Sequence, residues 1–259
     1  MSTYRILFLG DVVGRPGREA VKRGLPFLQH KHTPLFTIVN GENASHGVGI
    51  QPENADEFFK AGADAITLGN HAFRKRDILP YLDSGKAIVR PANMPPAPGR
   101  GLVFIEREDI RLAVMNLCGR VEMEAFDDPF RELDRLLTVV DTPHVFLDFH
   151  AEATSEKVAM GWYADGKVSA VVGTHTHVQT ADERILPLGT AYITDVGMSG
   201  PSEGVLGMDR TIILNRFTTA LSQKFEVAQG PSVICGVVID VERLSGKAVG
   251  IERIRFGEE

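Results

Sequence analysis

Several absences narrow what this chain can do. No apolar run approaches the roughly 18–20 residues that cross a bilayer, which argues against a membrane span. Only two cysteines occur, Cys118 in NLCG and Cys235 in VICG. Neither belongs to a metal-type pair and two are too few for a disulfide scaffold, so both are expected as buried, reduced thiols of a cytoplasmic protein. Positive charge is not in excess: 28 Lys+Arg stand against 34 Asp+Glu, a net charge of -6. Broad nucleic-acid surfaces are basic, so no extended DNA surface is expected. A small phosphate-bearing ligand stays compatible if positive charge is concentrated locally, for instance by metal ions. The glycine-rich stretch from Gly10 to Gly17 (GDVVGRPG) is neither G-x-G-x-x-G nor a P-loop, and no G-x-S-x-G elbow occurs. Dinucleotide binding, triphosphate binding and a serine nucleophile thereby lose their main support. No low-complexity tract or repeat of 20–50 residues is evident. The opening MSTYRILFLGD turns acidic early and has no small-residue cleavage site, so it reads as a first strand rather than a secretory signal.

What is present is an ordinary globular composition: 259 residues, 43% hydrophobic and 24% charged. One large domain over 1–259 is expected, with room for a small insertion or cap whose limits the sequence does not mark. Strand-like segments at 4–9, 35–39 and 64–68 alternate with helical ones at 17–30, 52–62 and 75–84, Pro26 being a candidate break. That alternation favours β-α units and a largely parallel sheet. The segment 91–101 (PANMPPAPGRG) is a Pro/Gly-rich loop that either joins two sheets or leads into an insertion. Strands are expected at 102–106, 110–117, 144–149, 168–173 and 190–194, with a helix at 127–138. Further apolar strands are expected near 211–215, 232–241 and 248–256, suggesting a second sheet packed on the first.

The polar residues fall in a pattern. Five strand-like runs each lead directly into a polar cluster: YRILFLG into Asp11, LFTIV into Asn40-Gly41-Glu42-Asn43, DAITL into Gly69-Asn70-His71, HVFLDF into His150, and VSAVVG into Thr174-His175-Thr176-His177. Ligands of α/β sheets gather at the carboxyl ends of strands, and parallel strands would bring all five clusters to one edge. Asp11, Glu42, Asn43, Asn70, His150, His175 and His177 offer carboxylate, amide and imidazole donors, a set suited to divalent first-row metals. They are too many for one tetrahedral ion and suit two ions sharing a bridge. If His175 and His177 continue a strand they share a face, and each could hold a different ion. Singly, these residues have ordinary explanations as turn formers, caps or surface histidines. Jointly they do not. His30, His32 and His144 read as surface or loop residues, and His46 in ASHGVG as either a pocket lining or a loop residue.

The motifs GDVVG, NGENA, GNH and GTHTH, in that order, resemble those of calcineurin-type metallophosphoesterases, and most closely the YmdB-like bacterial branch, over nearly the whole chain. Calcineurin-type enzymes usually begin with Asp-x-His, where this chain has Val13, and their second motif usually presents a bridging Asp, where this chain has Glu42. Both departures fit the YmdB-like branch, in which Asn43 fills the missing place. The resemblance implies a four-layer α/β/β/α sandwich of two packed mixed sheets flanked by helices. It implies one ion on Asp11, Glu42, Asn43 and His177, and a second on Glu42, Asn70, His150 and His175, with Glu42 bridging. Iron or manganese would be the first choice, with zinc or nickel accepting the same ligands.

The implied activity is hydrolysis of small phosphodiesters, 2′,3′-cyclic nucleotides first, by a metal-bridging hydroxide. Two divalent ions against Asp11, Glu42 and hydroxide leave roughly one positive charge towards the substrate by simple counting. An alkoxide leaves poorly, which gives His71, beside Asn70, the role of general acid. Alternatives are a phosphomonoesterase or RNA nuclease of the same fold, or a regulatory protein that keeps its metals, binds a nucleotide or protein and turns over little. His71 beside a full donor set favours catalysis. The glycine-rich 195–201 and Ser45-His46-Gly47 could border the site, no aromatic pair marks a base-stacking slot, and a homo-oligomer is left open.

Overall fold

The computed structural model describes residues 2–257. Its first half runs β1 (Thr3–Leu9), α1 (Gly14–His32), β2 (Phe36–Asn40), α2 (Pro52–Ala61), β3 (Ala65–Thr67), α3 (Ile78–Leu82), β4 (Ile88–Val89), β5 (Leu102–Arg107), β6 (Ile110–Cys118) and α4 (Pro129–Leu137). The second half runs β7 (Val145–His150), α5 (Thr154–Ala164), β8 (Ala170–Thr174), β9 (Arg184–Ile185), β10 (Ala191–Ile193), β11 (Gly200–Pro201), α6 (Arg210–Thr219), β12 (Ser232–Glu242) and β13 (Ala248–Gly257). One sheet has the order β11-β12-β1-β2-β3-β4, with β13 also paired to β12; the other has β5-β6-β7-β8-β10-β9. Both are mixed: β1-β2-β3-β4 and β6-β7-β8-β10 are parallel, while β12, β5 and β9 pair antiparallel.

The central parallel strands are largely apolar on both faces, as buried parallel strands must be. In β1, Ile6 and Phe8 point between the sheets while Leu7 and Leu9 meet α1 and α2 on the outside. Phe8 and Phe146 close the inter-sheet core with ring centroids 5.1 Å apart. The outer face of the second sheet, with Met115, Leu147 and Val171, packs on Leu133 and Leu136 of α4 and Met160 and Ala164 of α5. The result is a four-layer α/β/β/α sandwich, as expected.

Some local expectations are settled by the structure and others need correction. The 91–101 segment joins the two sheets, passing from β4 to β5. The closing strands do not build the second sheet; β12 lies antiparallel to β1 in the first. Helix α1 continues through Pro26. The run 211–215 is helical, not a strand: the Asp209 carboxylate accepts from the amides of Thr211 and Ile212, and that cap starts α6 despite the β-branched residues. Helix α5 was not foreseen, because its buried face is made of Glu156, Lys157, Met160, Gly161 and Ala164 while Trp162 and Tyr163 lie outside. His30 is exposed and His144 lies in the loop before β7, as a surface or loop reading expects, but His144 is buried, and His32 is buried at the end of α1. Cys118 and Cys235 are buried free thiols. Among the described residues no helix is long and apolar enough to cross a membrane.

Candidate metal centre

The carboxyl ends of β2, β3, β7 and β8 meet around one buried carboxylate. Asp148, pointing inward from β7, accepts from Asn40 Nδ2 at 2.8 Å, Thr67 Oγ1 at 2.5 Å and Thr174 Oγ1 at 2.7 Å. Even with three donors, burial pushes its carboxyl up to about 6. The Thr174 hydroxyl spends its proton on Asp148, so it accepts from His150 Nδ1 at 2.9 Å. This leaves His150 Nε2 to face the strand ends. Three atoms crowd that nitrogen: Glu42 Oε2 at 3.2 Å, Asn70 Oδ1 at 3.1 Å and His175 Nδ1 at 3.1 Å. The other nitrogen of His175 lies 3.2 Å from Glu152 Oε2, so its proton belongs there.

A single N–H cannot serve three acceptors. With that one proton displaced, four lone-pair atoms would converge on one point, the geometry of ligands around a cation, with the remote imidazole nitrogens anchored as metal-binding histidines anchor theirs. Among the described residues, Glu42, His150 and His175 satisfy the spacing of a three-ligand metal site. Burial opposes charge on His150, but the Glu42 carboxylate outweighs it and raises the ring to about 9. Burial and the neighbouring His150 push His175 down to about 3. Burial also works against the charge of Glu42, yet His150 and His71 hold its carboxyl well below the usual range. Gly69 is required by this crowding: a Cβ there would collide with Glu42 Oε2 and His150 Nε2.

On the other side of Glu42 lie Asp11, Asn43 and His177. Asp11 Oδ2 accepts from the His175 amide at 3.1 Å, while Oδ1 is buried with no hydrogen-bond partner. Such an orphaned carboxylate oxygen calls for a missing partner; burial raises the Asp11 carboxyl above its ordinary value. His177 Nε2 is 4.0 Å from that oxygen, and its Nδ1 donates to the Leu206 carbonyl at 3.0 Å, leaving Nε2 as the lone-pair atom. Asn43 Nδ2 lies 2.9 Å from Glu42 Oε1 and 3.1 Å from His177 Nε2, with Oδ1 2.8 Å from His71 Nδ1. A half-turn of the amide, which exchanges nearly identical atoms, would present Oδ1 to the site instead. His71 Nδ1 is also 3.4 Å from Glu42 Oε1, and the ring is partly exposed. All eight residues singled out in the sequence thus stand at one edge of the sandwich. The donor set fits metal binding around Glu42, His150 and His175, and the two oxygens of Glu42 turn to different neighbours, Oε2 to His150 and Oε1 to Asn43 and His71.

A profile of the YmdB-like protein family matches residues 7–254. The chain belongs to the YmdB-like family. It is 54% identical over 258 residues to the 2′,3′-cyclic-nucleotide 2′-phosphodiesterase of Bacillus subtilis (strain 168), covering 98% of each protein. A crystal structure described as a novel phosphatase from Mycoplasma pneumoniae superposes with a TM-score of 0.95 at 36% identity, covering 100% of this chain and 95% of that one. A putative 5′-nucleotidase from Staphylococcus aureus shares the fold alone, with a TM-score of 0.59 at 15% identity over 96% of this chain and 54% of the other.

In this YmdB-like chain the two GTHTH histidines are not placed by strand alternation, contrary to expectation. Both lie beyond the end of β8 with left-handed backbones, His175 at φ 99° and His177 at φ 66°. An ion pair missed in the sequence holds that turn. Lys157 Nζ donates to Asp195 Oδ2 at 2.6 Å, both side chains fully buried, and the same oxygen accepts from Thr176 N and Thr176 Oγ1 between the histidines. The glycine-rich 195–201 segment therefore does border the site. Asp148 carried a readable signal, a carboxylate inside the apolar run HVFLDFH that needs buried partners. Lys157 carried none, because its helix was hidden. His46 is exposed and lies outside the cluster, beside Arg15 and Lys224.

Proposed function

We propose that this chain is a metal-dependent phosphodiesterase acting on small phosphodiesters, 2′,3′-cyclic nucleotides first, with metal ligands Asp11, Glu42, Asn43 and His177 on one side and Glu42, Asn70, His150 and His175 on the other. The observation that carries the reading is the convergence of Glu42 Oε2, Asn70 Oδ1 and His175 Nδ1 on His150 Nε2, opposite the orphaned Oδ1 of Asp11. The relatives' phosphodiesterase and phosphatase descriptions support the reaction class. Two divalent cations at such a site would supply positive charge to a phosphoryl group and a water of lowered pKa.

The chain's own residues have separable tasks. Asp148, through Thr174, fixes His150 in the orientation that offers Nε2. Glu152 does the same for His175 from Nε2, and the Leu206 carbonyl for His177 from Nδ1. Asn43 engages His71 at Nδ1, which directs the opposite edge of that ring away from the donors and leaves it to protonate a departing alkoxide. His71→Ala should therefore keep its metals. Its turnover of alkyl-leaving-group diesters should fall about 10²–10⁴-fold, with a much smaller loss on nitrophenyl esters, whose leaving group needs little protonation. Equal losses on both substrates would remove His71 from the acid role.

The test of the reaction class is a panel of bis-nitrophenyl phosphate, nitrophenyl phosphate and 2′,3′-cyclic nucleotides with added Mn²⁺ or Fe²⁺. Turnover of the diesters supports the proposal. Turnover of the monoester alone would make the chain a phosphomonoesterase, and none at all would make it a metal-retaining binding protein.

A further inference from the structure

Asn70 faces two ways. Its Oδ1 belongs to the cluster around His150, while its Nδ2 reaches both oxygens of Glu124 at 3.3 Å. Glu124 lies on the wall of a groove of about 490 Å³ that begins at Asn70 and whose lining includes Phe73, Arg74, Met94, Pro95 and Phe126. Its size falls within the range of small-ligand pockets, and its lining is mainly apolar with few polar groups.

The walls are set from below. The buried Arg90 guanidinium donates to the carbonyls of Pro91, Ala97 and Pro98 at 2.8, 2.9 and 3.1 Å, clamping the proline-rich loop. Buried Asn93 ties that loop to the facing one: its Nδ2 donates to the carbonyls of Cys118 and Asp127, and its Oδ1 accepts from the Cys118 amide. Two buried polar side chains thus hold the loops that carry Pro95 on one wall and Glu124 and Phe126 on the other. A cleft shaped in advance loses less to ordering when a ligand enters.

Resting on the reading of the centre as a nucleotide phosphodiesterase, we infer that this groove receives the nucleobase of the substrate. The phosphate sits at the metal donors, the ribose passes Asn70, and the base lies on the apolar floor against Phe73 or Phe126, with the Arg74 guanidinium at its edge. A ring of π-electrons is the chemistry that such a floor accepts without demanding one base over another. The proline-rich loop is then a specificity element for nucleotides over base-free diesters.

The test compares a nucleoside 2′,3′-cyclic phosphate with base-free ribose 2′,3′-cyclic phosphate on the metal-loaded protein. The nucleotide should be preferred about tenfold or more in kcat/KM, chiefly through KM. In Phe126→Ala that preference should shrink to about twofold or less, and in the exposed Arg74→Ala it should fall by about threefold. An equal rate for both substrates in the unmodified protein, or a preference untouched by both variants, overturns the groove. Calorimetric titration with a nucleoside 3′-monophosphate and with ribose 3-phosphate gives the same comparison without turnover. Base-dependent binding that Phe126→Ala abolishes, in a protein that hydrolyses neither cyclic phosphate, supports the groove and removes the phosphodiesterase reading instead.

Discussion

His144 precedes β7 and His150 closes it, and both rings are buried. At the first, the Nδ1 of His144 meets one partner, the Tyr4 hydroxyl at 3.0 Å, and burial keeps the imidazole below its usual pKa. At the second, one nitrogen is anchored and the other faces three lone-pair atoms beside a buried carboxylate, with the pKa raised to about 9. Burial does not distinguish a structural histidine from a candidate ligand. Counting protons against lone pairs does: at the amino end one nitrogen meets one hydroxyl, while at the carboxyl end three acceptors face a single imidazole nitrogen, a surplus that the proposed cation would take up. The same contrast holds along β1, which starts at this Tyr4 contact and runs into the orphaned oxygen of Asp11.

The largest test of that contrast is Glu42→Gln. It keeps the volume but removes the charge shared by the two donor sets, so both ions should be lost and turnover should fall by more than about 10³-fold. Elemental analysis that finds two tightly held ions in this variant would contradict the bridging role. A middle-sized effect is expected from Thr174→Val, which leaves His150 without its anchor and Asp148 without one donor. Metal affinity or activity should drop roughly 10–100-fold, while a variant indistinguishable from the parent would show that the anchor is idle.

The smallest effect lies at the opposite end of β7. A histidine whose folded pKa is depressed is neutral in the fold, while the unfolded chain takes up a proton near about 6.5. Its contribution is therefore complete above that value and is lost as pH falls towards the lower folded pKa. Between about pH 7.5 and 5.5 this residue's contribution to the urea midpoint should fall with pH, so the midpoint of His144→Phe relative to the parent should rise as pH is lowered across that range. Identical slopes would show that the protonation of His144 is not linked to folding.

The candidate site was more legible than the scaffold that holds it. Strand ends running into Asp11, Glu42, Asn70, His150 and His175 are visible because apolar runs and polar clusters differ in kind. The alternating β-α start was readable for the same reason, since β1, β2 and β3 are short and apolar on both faces. Helix α5 was not, because Lys157, Glu156 and Gly161 fill positions where a hydrophobic stripe is sought, and the compensation for Lys157 comes from Asp195, 38 residues on. Helix α6 was misread because TIIL looks like a strand until the Asp209 cap is given its weight. The placement of His175 and His177 depends on two left-handed backbones that local pattern does not announce. The groove walls were missed because Arg90 and Asn93 act on loops through backbone carbonyls, which carry no residue signature.

The central claim is a paired-cation centre divided by Glu42. The direct measurement is anomalous scattering from crystals of the protein loaded with Mn²⁺. Two peaks are predicted, one in coordination contact with His150 Nε2 and His175 Nδ1 and the other in coordination contact with His177 Nε2 and Asp11 Oδ1, both within reach of Glu42. No peak there, or a single one that leaves Asp11 and His177 without a ligand, would contradict the account.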